Sequence, residues 1–161
     1  MKKLITLFIA FTLFSCNDGN FDIPDFEFSE TVNKCGEYVL YRTNDQKTEV
    51  IVLTLSPSNL GTTEGEKDIN ISSSVSVVYR IFNEAIGTDY FCQDIPPATP
   101  SIVKDIIAES GSIKINTTAN LTGTEITGYT YTIVIEELLF NDENERIYFE
   151  SFDFGELKIN L

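Results

Sequence analysis

The sequence predicts an all-β fold, a two-layer antiparallel β-sandwich of the immunoglobulin-like kind with about eight strands and at most one short helix. Apolar and polar residues alternate along several short stretches, which is the period of a half-buried strand. Other stretches are continuous β-branched or aromatic runs, and Gly, Pro, Asn and Asp separate them at regular intervals. Strands of this spacing form antiparallel hairpins, and a barrel is the main alternative to the sandwich.

The first part of the domain predicts an edge strand followed by a hairpin. Phe21–Ile23 and Phe26–Phe28 form the edge strand, because Pro24 between them cannot donate to a central ladder. The runs 37–42 and 48–55 form the hairpin around a polar turn. The second of these runs is almost continuously β-branched, so we expect it to lie centrally in the sheet.

A polar loop rich in Gly, Ser and Thr is predicted for residues 56–67, and an alternating strand follows it. In that strand the odd-numbered residues face the core, namely Val75, Val77, Tyr79 and Ile81. Residues 100–110 are ambiguous: Ile102, Val103, Ile106 and Ile107 have helical spacing, while the β-branched content also suits a strand. Pro100 at a first helical position and Gly111 at the stop favour the helix.

The last third predicts the strongest hairpin, in which residues 129–140 pair with residues 145–156. The apolar phase slips at Glu136-Glu137, which predicts a β-bulge, and slips again near Ser151. Leu157, Ile159 and Leu161 form a last alternating run, so the final strand is expected to be tied into a sheet.

Composition limits the chemistry available to the chain. The 161 residues include no histidine, which excludes Ser-His-Asp and Cys-His catalysis and histidine-ligated zinc sites. Tryptophan is also absent, although seven tyrosines could form aromatic platforms. We predict no cofactor and no metal site, and we assign no catalytic residue.

The N-terminal residues predict an export signal. Lys2 and Lys3 precede eleven residues, Leu4–Phe14, that are apolar apart from two threonines, and Ser15-Cys16 follows. Such an apolar run is the length of a signal-peptide core. It is too short for a transmembrane helix, which needs about 20 apolar residues.

Leu13-Phe14-Ser15-Cys16 resembles the lipobox of bacterial lipoproteins, and the following Asn17-Asp18-Gly19-Asn20 resembles the tether of such proteins in the Bacteroidota. The resemblance covers residues 1 to 20 and implies an acylated (palmitate-bearing) Cys16 and a membrane partner, the outer membrane, through that lipid anchor. It divides the chain into a signal peptide (1–15), a lipidated cysteine and tether (16–20) and one sandwich domain (21–161). A soluble secreted protein is the alternative.

Without residues 1–15 the chain has 146 residues, and because Lys2 and Lys3 are removed it carries 9 basic and 25 acidic side chains, a formal charge of −16. Such a surface repels phosphate backbones, which excludes nucleic acid as a partner.

The cysteine count predicts one disulfide. If Cys16 carries lipid, Cys35 and Cys92 remain, and an exported chain meets an oxidising compartment. Their bond would contribute roughly 4 kcal/mol in the chain-entropy model. A free buried pair is the alternative.

Three groups of residues are candidates for a functional site. Paired carboxylates could support glycoside hydrolysis, and the candidates are Asp22, Asp25, Glu136, Glu137, Glu150, Asp153 and Glu156. The turn 142–145 is rich in oxygen ligands but lacks the spacing of a calcium loop. The stiff segment around Tyr90, Phe91, Pro96 and Pro97 is a candidate recognition loop.

We therefore expect an outer-membrane lipoprotein, on the periplasmic face or the cell surface, that acts as a non-catalytic binding or envelope-complex module. An envelope protein or a glycan would be its ligand. A carboxylate-dependent glycosidase-like enzyme and a purely structural envelope protein are the alternatives.

Overall fold

The computed structural model describes residues 27–36, 38–56, 58–143 and 145–161. The predicted signal peptide, Cys16, the tether and Phe21–Ile23 lie outside the described residues. Among the described residues, no helix is long and apolar enough to cross a membrane.

The described chain is all-β and antiparallel, as predicted, and its one helical element is a short 3₁₀ turn, Tyr90–Cys92. The strands are β1 (Asn33–Cys35), β2 (Val39–Thr43), β3 (Glu49–Thr54), β4 (Gly65–Asn70), β5 (Ser76–Phe82), β6 (Ile102–Thr122), β7 (Glu125–Asp142) and β8 (Glu145–Asn160). Both predicted hairpins, β2–β3 and β7–β8, are confirmed.

The eight strands form one curled sheet in the order β1-β2-β3-β5-β6-β7-β8, with β4 paired to β6 beside β5. The long β6 belongs to both halves of the sheet. Its first part pairs with β5 through residues 102–107, and its second part pairs with β4 and β7. The first half-sheet is thus β1, β2, β3, β5 and the start of β6, and the second half-sheet is β4, the rest of β6, β7 and β8. The two half-sheets enclose one core, as in a sandwich.

The curled sheet bends where the β6–β7 register shifts. On β7, Glu136 pairs with Ser112 and Leu139 pairs with Ser110, so two β7 residues lie opposite Gly111. This arrangement is a β-bulge, and Glu137 within it has a left-handed φ of 51°. The bulge predicted from the phase slip is therefore confirmed, and it keeps apolar side chains inward on both sides of the bend.

The inner core lies between the two half-sheets and contains fully buried residues from both. Its largest fully buried side chains are Phe140, Phe154, Leu40, Ile51, Leu53, Ile113, Ile115, Ile133, Ile135, Leu138 and Val77. Val75, Val77 and Tyr79 are buried as predicted, whereas Ile81 is only partly buried.

A second apolar cluster covers the outer face of the first half-sheet. It consists of Cys35, Tyr41, Val50, Val52, Phe82, Ile86 and Tyr90, and we call it the outer cluster. Residues 83–101, which connect β5 to β6, supply its cover. Because the inner core and the outer cluster lie on opposite faces, β3 is buried on both sides, as its continuous β-branched sequence predicts.

The predicted disulfide between Cys35 and Cys92 is present, with the two Cα atoms 4.8 Å apart. It joins the edge strand β1 to the 83–101 connection, 57 residues further along the chain. The bond therefore fastens the cover of the outer cluster to the sheet.

The helix predicted for residues 100–110 is wrong, because this segment begins β6. Ile106 is 5% exposed and faces the inner core, while Ile102, Val103 and Ile107 are 44%, 66% and 62% exposed. The helical spacing therefore came from surface residues and not from one buried face. The loop predicted for 56–67 extends too far, because β4 already begins at Gly65. The edge strand predicted for Phe26–Phe28 is wrong where it can be compared, because residues 27–28 are not in a strand.

Candidate functional site

The carboxylates favoured from the sequence meet in a shallow depression outside the bend in the sheet. This acidic depression, of about 590 Å³, is lined by Glu136, Glu137, Tyr148, Phe149, Glu150 and Ser151. The β7–β8 register places Glu136 opposite Ser151. The bulge turns Glu137 toward the same side, which alternation in a regular strand would not do.

Glu136 has a cation partner in this depression. Its Oε2 lies 3.0 Å from Nζ of Lys114 on β6, and this carboxylate raises the pKa of the Lys114 ammonium. Glu137 and Glu150 are exposed. The arrangement is a charged sheet face with one ion pair on it.

The other carboxylate candidates lie elsewhere. Asp153 and Glu156 are on β8 where it meets β2 of the first half-sheet, a place that we call the seam. Asp22 and Asp25 lie outside the described residues. Asp142, from the oxygen-rich turn, is paired with Lys104. In the part of the chain that the structure describes, no group of three or more Cys, Asp or Glu side chains is placed to hold a metal ion.

The predicted recognition loop divides between interior and surface. Tyr90 is 4% exposed in the outer cluster, with its ring centroid 4.9 Å from that of Phe82. Phe91 is partly buried and lies 4.8 Å from Tyr41, ring to ring. Pro96 is exposed and Pro97 partly so, beside Ile95, which is 81% exposed. The aromatic half of the segment thus anchors the connection, and the proline half lies on the surface.

A polar pocket of about 250 Å³ opens at the end of the first half-sheet that carries the β2–β3 turn. Three parts of the chain supply its walls: the segment leading into β1, the end of β2 with the turn after it, and the start of the 83–101 connection. The lining residues are Ser29, Thr31, Asn33, Tyr41, Thr43, Asn44, Asp45, Lys47, Ile86, Gly87 and Thr88.

Hydrogen bonds between these parts fix the shape of the polar pocket. The Tyr41 hydroxyl donates to the Thr88 carbonyl at 2.6 Å, and the Ile86 amide donates to the Lys47 carbonyl at 2.9 Å. The Ser29 amide donates to the Thr43 carbonyl, also at 2.9 Å. Burial, followed by the nearby Asp89 carboxylate, raises the pKa of the Tyr41 hydroxyl, which therefore stays a proton donor.

The β2–β3 turn is held in the same way. The side-chain oxygen of Asn44 accepts hydrogen bonds from the amides of Thr48 and Glu49 at 3.0 and 3.2 Å. Lys47 takes a left-handed φ of 57° in this turn. Such side-chain capping is common for asparagine in turns, and here it holds the backbone that carries the pocket residues Asp45 and Lys47.

The seam holds a further cavity of about 400 Å³, and Arg42 fills its inner side. The Arg42 guanidinium donates to the carbonyls of Ser29, Asp153 and Phe28 at 2.6, 2.6 and 3.1 Å. Burial lowers the pKa of Arg42, and the carboxylates of Asp153 and Glu30 oppose that effect. Arg42 thus ties β2 to β8, and this use is structural.

Sequence reasoning missed the polar pocket because its lining residues come from positions 29–33, 41–47 and 86–88. Only the fold brings these positions together. One weak signal was present, since Ser29, Thr31 and Asn33 alternate and so point to one side of an extended segment.

No protein-family model matches this chain, and no similar protein was found among the curated proteins or the solved structures.

Proposed function

We propose that this chain is a lipoprotein anchored in the bacterial outer membrane through Cys16, and that its β-sandwich is a non-catalytic binding module of the cell envelope. The observation that carries the anchor is the N-terminal pattern of two lysines, the apolar run and Leu13-Phe14-Ser15-Cys16. One acyl chain binds a membrane only weakly, so two or three chains at Cys16 are what would hold the protein there.

The disulfide supports export independently of the signal sequence. Disulfides form and persist in oxidising compartments such as the bacterial periplasm and the cell surface. Cys35 and Cys92 are bonded to each other, so Cys16 is the one cysteine of the three that remains for another modification.

The folded domain supports binding through its preorganised polar pocket. Binding residues on loops at the end of a rigid sandwich are a common arrangement, because the sheet fixes loops that are free to vary. In this protein the disulfide and the hydrogen bonds of Ser29, Tyr41 and Ile86 hold three such segments together.

Lipid attachment is tested in cells grown with labelled palmitate. We expect wild-type protein to incorporate the label and Cys16→Ala to lose it completely. Cys35→Ser/Cys92→Ser is the matched control, because it removes the other two cysteines and should stay labelled. Label retained in Cys16→Ala would overturn the anchor assignment.

The face of the membrane and the partner are tested next, by protease treatment of intact cells and by cross-linking. Digestion in intact cells would place the domain on the surface, and protection until the outer membrane is opened would place it in the periplasm. A binding module should be cross-linked to envelope protein or retained on envelope glycan. Failure of both would contradict the binding function and favour the structural one.

A glycosidase-like activity is the second candidate, and the acidic depression is the observation that favours it. Tyr148, 37% exposed, lies beside the carboxylates of Glu136, Glu137 and Glu150 there. If the wild type hydrolyses a glycoside, Glu136→Gln or Glu150→Gln should lower the rate at least about a hundredfold. Turnover that survives both substitutions would remove these residues from consideration.

A further inference from the structure

The polar pocket is lined by hydroxyl-bearing residues whose side chains are not hydrogen-bonded to other described residues. The side-chain hydroxyls of Ser29, Thr31, Thr43 and Thr88 line it, and none of them bonds to another described residue. The Tyr41 hydroxyl donates to Thr88 and keeps its acceptor capacity. A hydroxyl can both donate and accept, so this lining suits a ligand whose own groups do both.

The charges at the pocket favour a neutral ligand. Asp45 and Lys47 both line it, and among the described residues neither side chain is in an ion pair. A carboxylate and an ammonium at one opening together add no net charge, so the pair favours neither cations nor anions, and each group can hydrogen-bond to a neutral hydroxyl. The acid excess of the whole chain disfavours anions further.

The size and depth of the pocket limit the ligand to one small ring. Its volume of about 250 Å³ lies just below the roughly 300–1,000 Å³ of pockets for drug-sized molecules. Tyr41, Ile86 and Thr43 are 3%, 3% and 9% exposed, so they form its floor, while Thr31, Asp45 and Thr88 are exposed at its rim. A mainly apolar floor with two hydroxyl groups and a polar rim fits a ring that has a C–H face and hydroxyls at its edge.

We propose that the polar pocket binds a single neutral sugar unit, either free or at the end of a glycan. This inference rests on the proposed binding function and deepens it by naming the site and the ligand class. The walls are already held by the disulfide and by hydrogen bonds between segments, so binding requires little ordering of the chain.

The test uses the full exported chain, purified in detergent with its anchor and labelled for NMR. The probes are the methyl glycosides of glucose, galactose, mannose and N-acetylglucosamine, and a disaccharide that ends in each sugar. At least one glycoside should shift the amides of Thr31, Thr43 and Thr88 in a saturable way. A disaccharide that binds at least as tightly indicates a glycan end, and one that is excluded indicates a free sugar.

Thr43→Val/Thr88→Val removes two lining hydroxyls and keeps β-branched side chains of the same shape. We expect it to weaken the binding of that glycoside at least about tenfold. Thr122→Val is the matched control, because Thr122 is an exposed strand threonine outside the pocket, and its affinity should equal that of wild type. Thermal melts of both variants establish that they are folded.

If no probe shifts the pocket amides, or if the double variant binds as wild type does, the sugar site is overturned. The broader binding function then stands or falls separately on the cross-linking experiment. A protein that is cross-linked to an envelope partner without sugar-induced shifts is a binding module with another site. A protein that shows neither cross-linking nor sugar-induced shifts contradicts both proposals.

Discussion

Arg42 links the two ends of the curled sheet through hydrogen bonds. It lies on β2, is 9% exposed, and donates hydrogen bonds to three carbonyls on the N-terminal segment and on β8. Removing such a buried donor leaves carbonyl groups without partners and separates the two edges of the sheet. The folded state then bears the desolvation cost of these unpaired carbonyl groups, which lowers the free energy of unfolding.

We expect Arg42→Ala to lower the free energy of unfolding by about 3 kcal/mol, measured by urea denaturation. Arg42→Lys should fall between wild type and Arg42→Ala, because an ammonium keeps the charge but loses the planar fork of donors. Arg80→Ala is the control. It breaks a surface pair with Asp105 (2.9 Å), and such pairs contribute about 0–1 kcal/mol. Equal losses for Arg42→Ala and Arg80→Ala would contradict this account.

Tyrosines determine how stability depends on alkaline pH. Burial raises the pKa of Tyr41, Tyr79 and Tyr131, and Tyr79 also donates a 2.7 Å hydrogen bond to Glu49. An unfolded tyrosine ionises near pH 10, so above that pH the unfolded state loses protons that the folded state retains. The stabilising contribution is complete below about pH 10 and is lost as pH rises above it.

We therefore expect the free energy of unfolding to decline above about pH 10 and to stay nearly flat between about pH 6 and pH 9, since the chain has no histidine. Tyr79→Phe should make the alkaline decline shallower. Urea denaturation at a series of pH values measures both effects. A steep change in stability near neutral pH would contradict the prediction, because it would require a carboxylate or an amine with a strongly shifted pKa.

At the scale of elements, the sequence predicted strands well where alternation or β-branching reflected burial. It correctly placed the bulge at Glu136-Glu137 because a bulge is the simplest way to keep apolar residues inward through a phase slip. It failed on β4, since Gly65–Asn70 pairs along a single edge, with five of its six residues exposed, and so shows no alternation. The prediction for the start of β6 failed for the opposite reason. Its exposed residues Ile102, Val103 and Ile107 are apolar and have the spacing of a helical face, although they lie on the surface of a strand.

The candidate site was less predictable than the fold. The disulfide could be predicted by counting cysteines, but the polar pocket depends on contacts such as Tyr41 to Thr88, which lie 47 residues apart. No local pattern encodes a contact of that range. The aromatic residues chosen as a recognition loop were a reasonable choice on composition, yet Tyr90 belongs to the outer cluster.

The 83–101 connection depends on the Cys35–Cys92 bond. We expect Cys35→Ser/Cys92→Ser to lower the free energy of unfolding by about 4 kcal/mol, since the bond closes a long loop. Lifting of the connection should also expose Tyr41, Val50 and Val52. Binding of an apolar fluorescent dye should therefore increase under conditions where the variant remains folded. Wild-type protein treated with a reductant should behave as the variant does, and identical urea midpoints with and without the bond would contradict the prediction.

At the scale of the whole molecule, two properties act in opposite directions at a membrane. The proposed lipid at Cys16 attracts the chain to any bilayer. The remaining residues carry a formal charge of −16 after removal of residues 1–15, which repels anionic head groups over a distance of about 8–10 Å at ordinary ionic strength. The surface of the domain should therefore contribute nothing to membrane binding.

Vesicle flotation separates these two contributions. We expect the protein purified with its anchor to float with neutral vesicles and with vesicles that contain phosphatidylglycerol, because burial of acyl chains does not depend on head-group charge. A chain that begins at Asn17 should stay in the soluble fraction with both kinds of vesicle, even at low salt, where electrostatic forces are strongest. Flotation of this shortened chain with anionic vesicles would show that the folded domain itself binds lipid, and its charge would then have to be distributed far more unevenly than its sequence indicates. Flotation of neither form would instead remove the lipid anchor from the account.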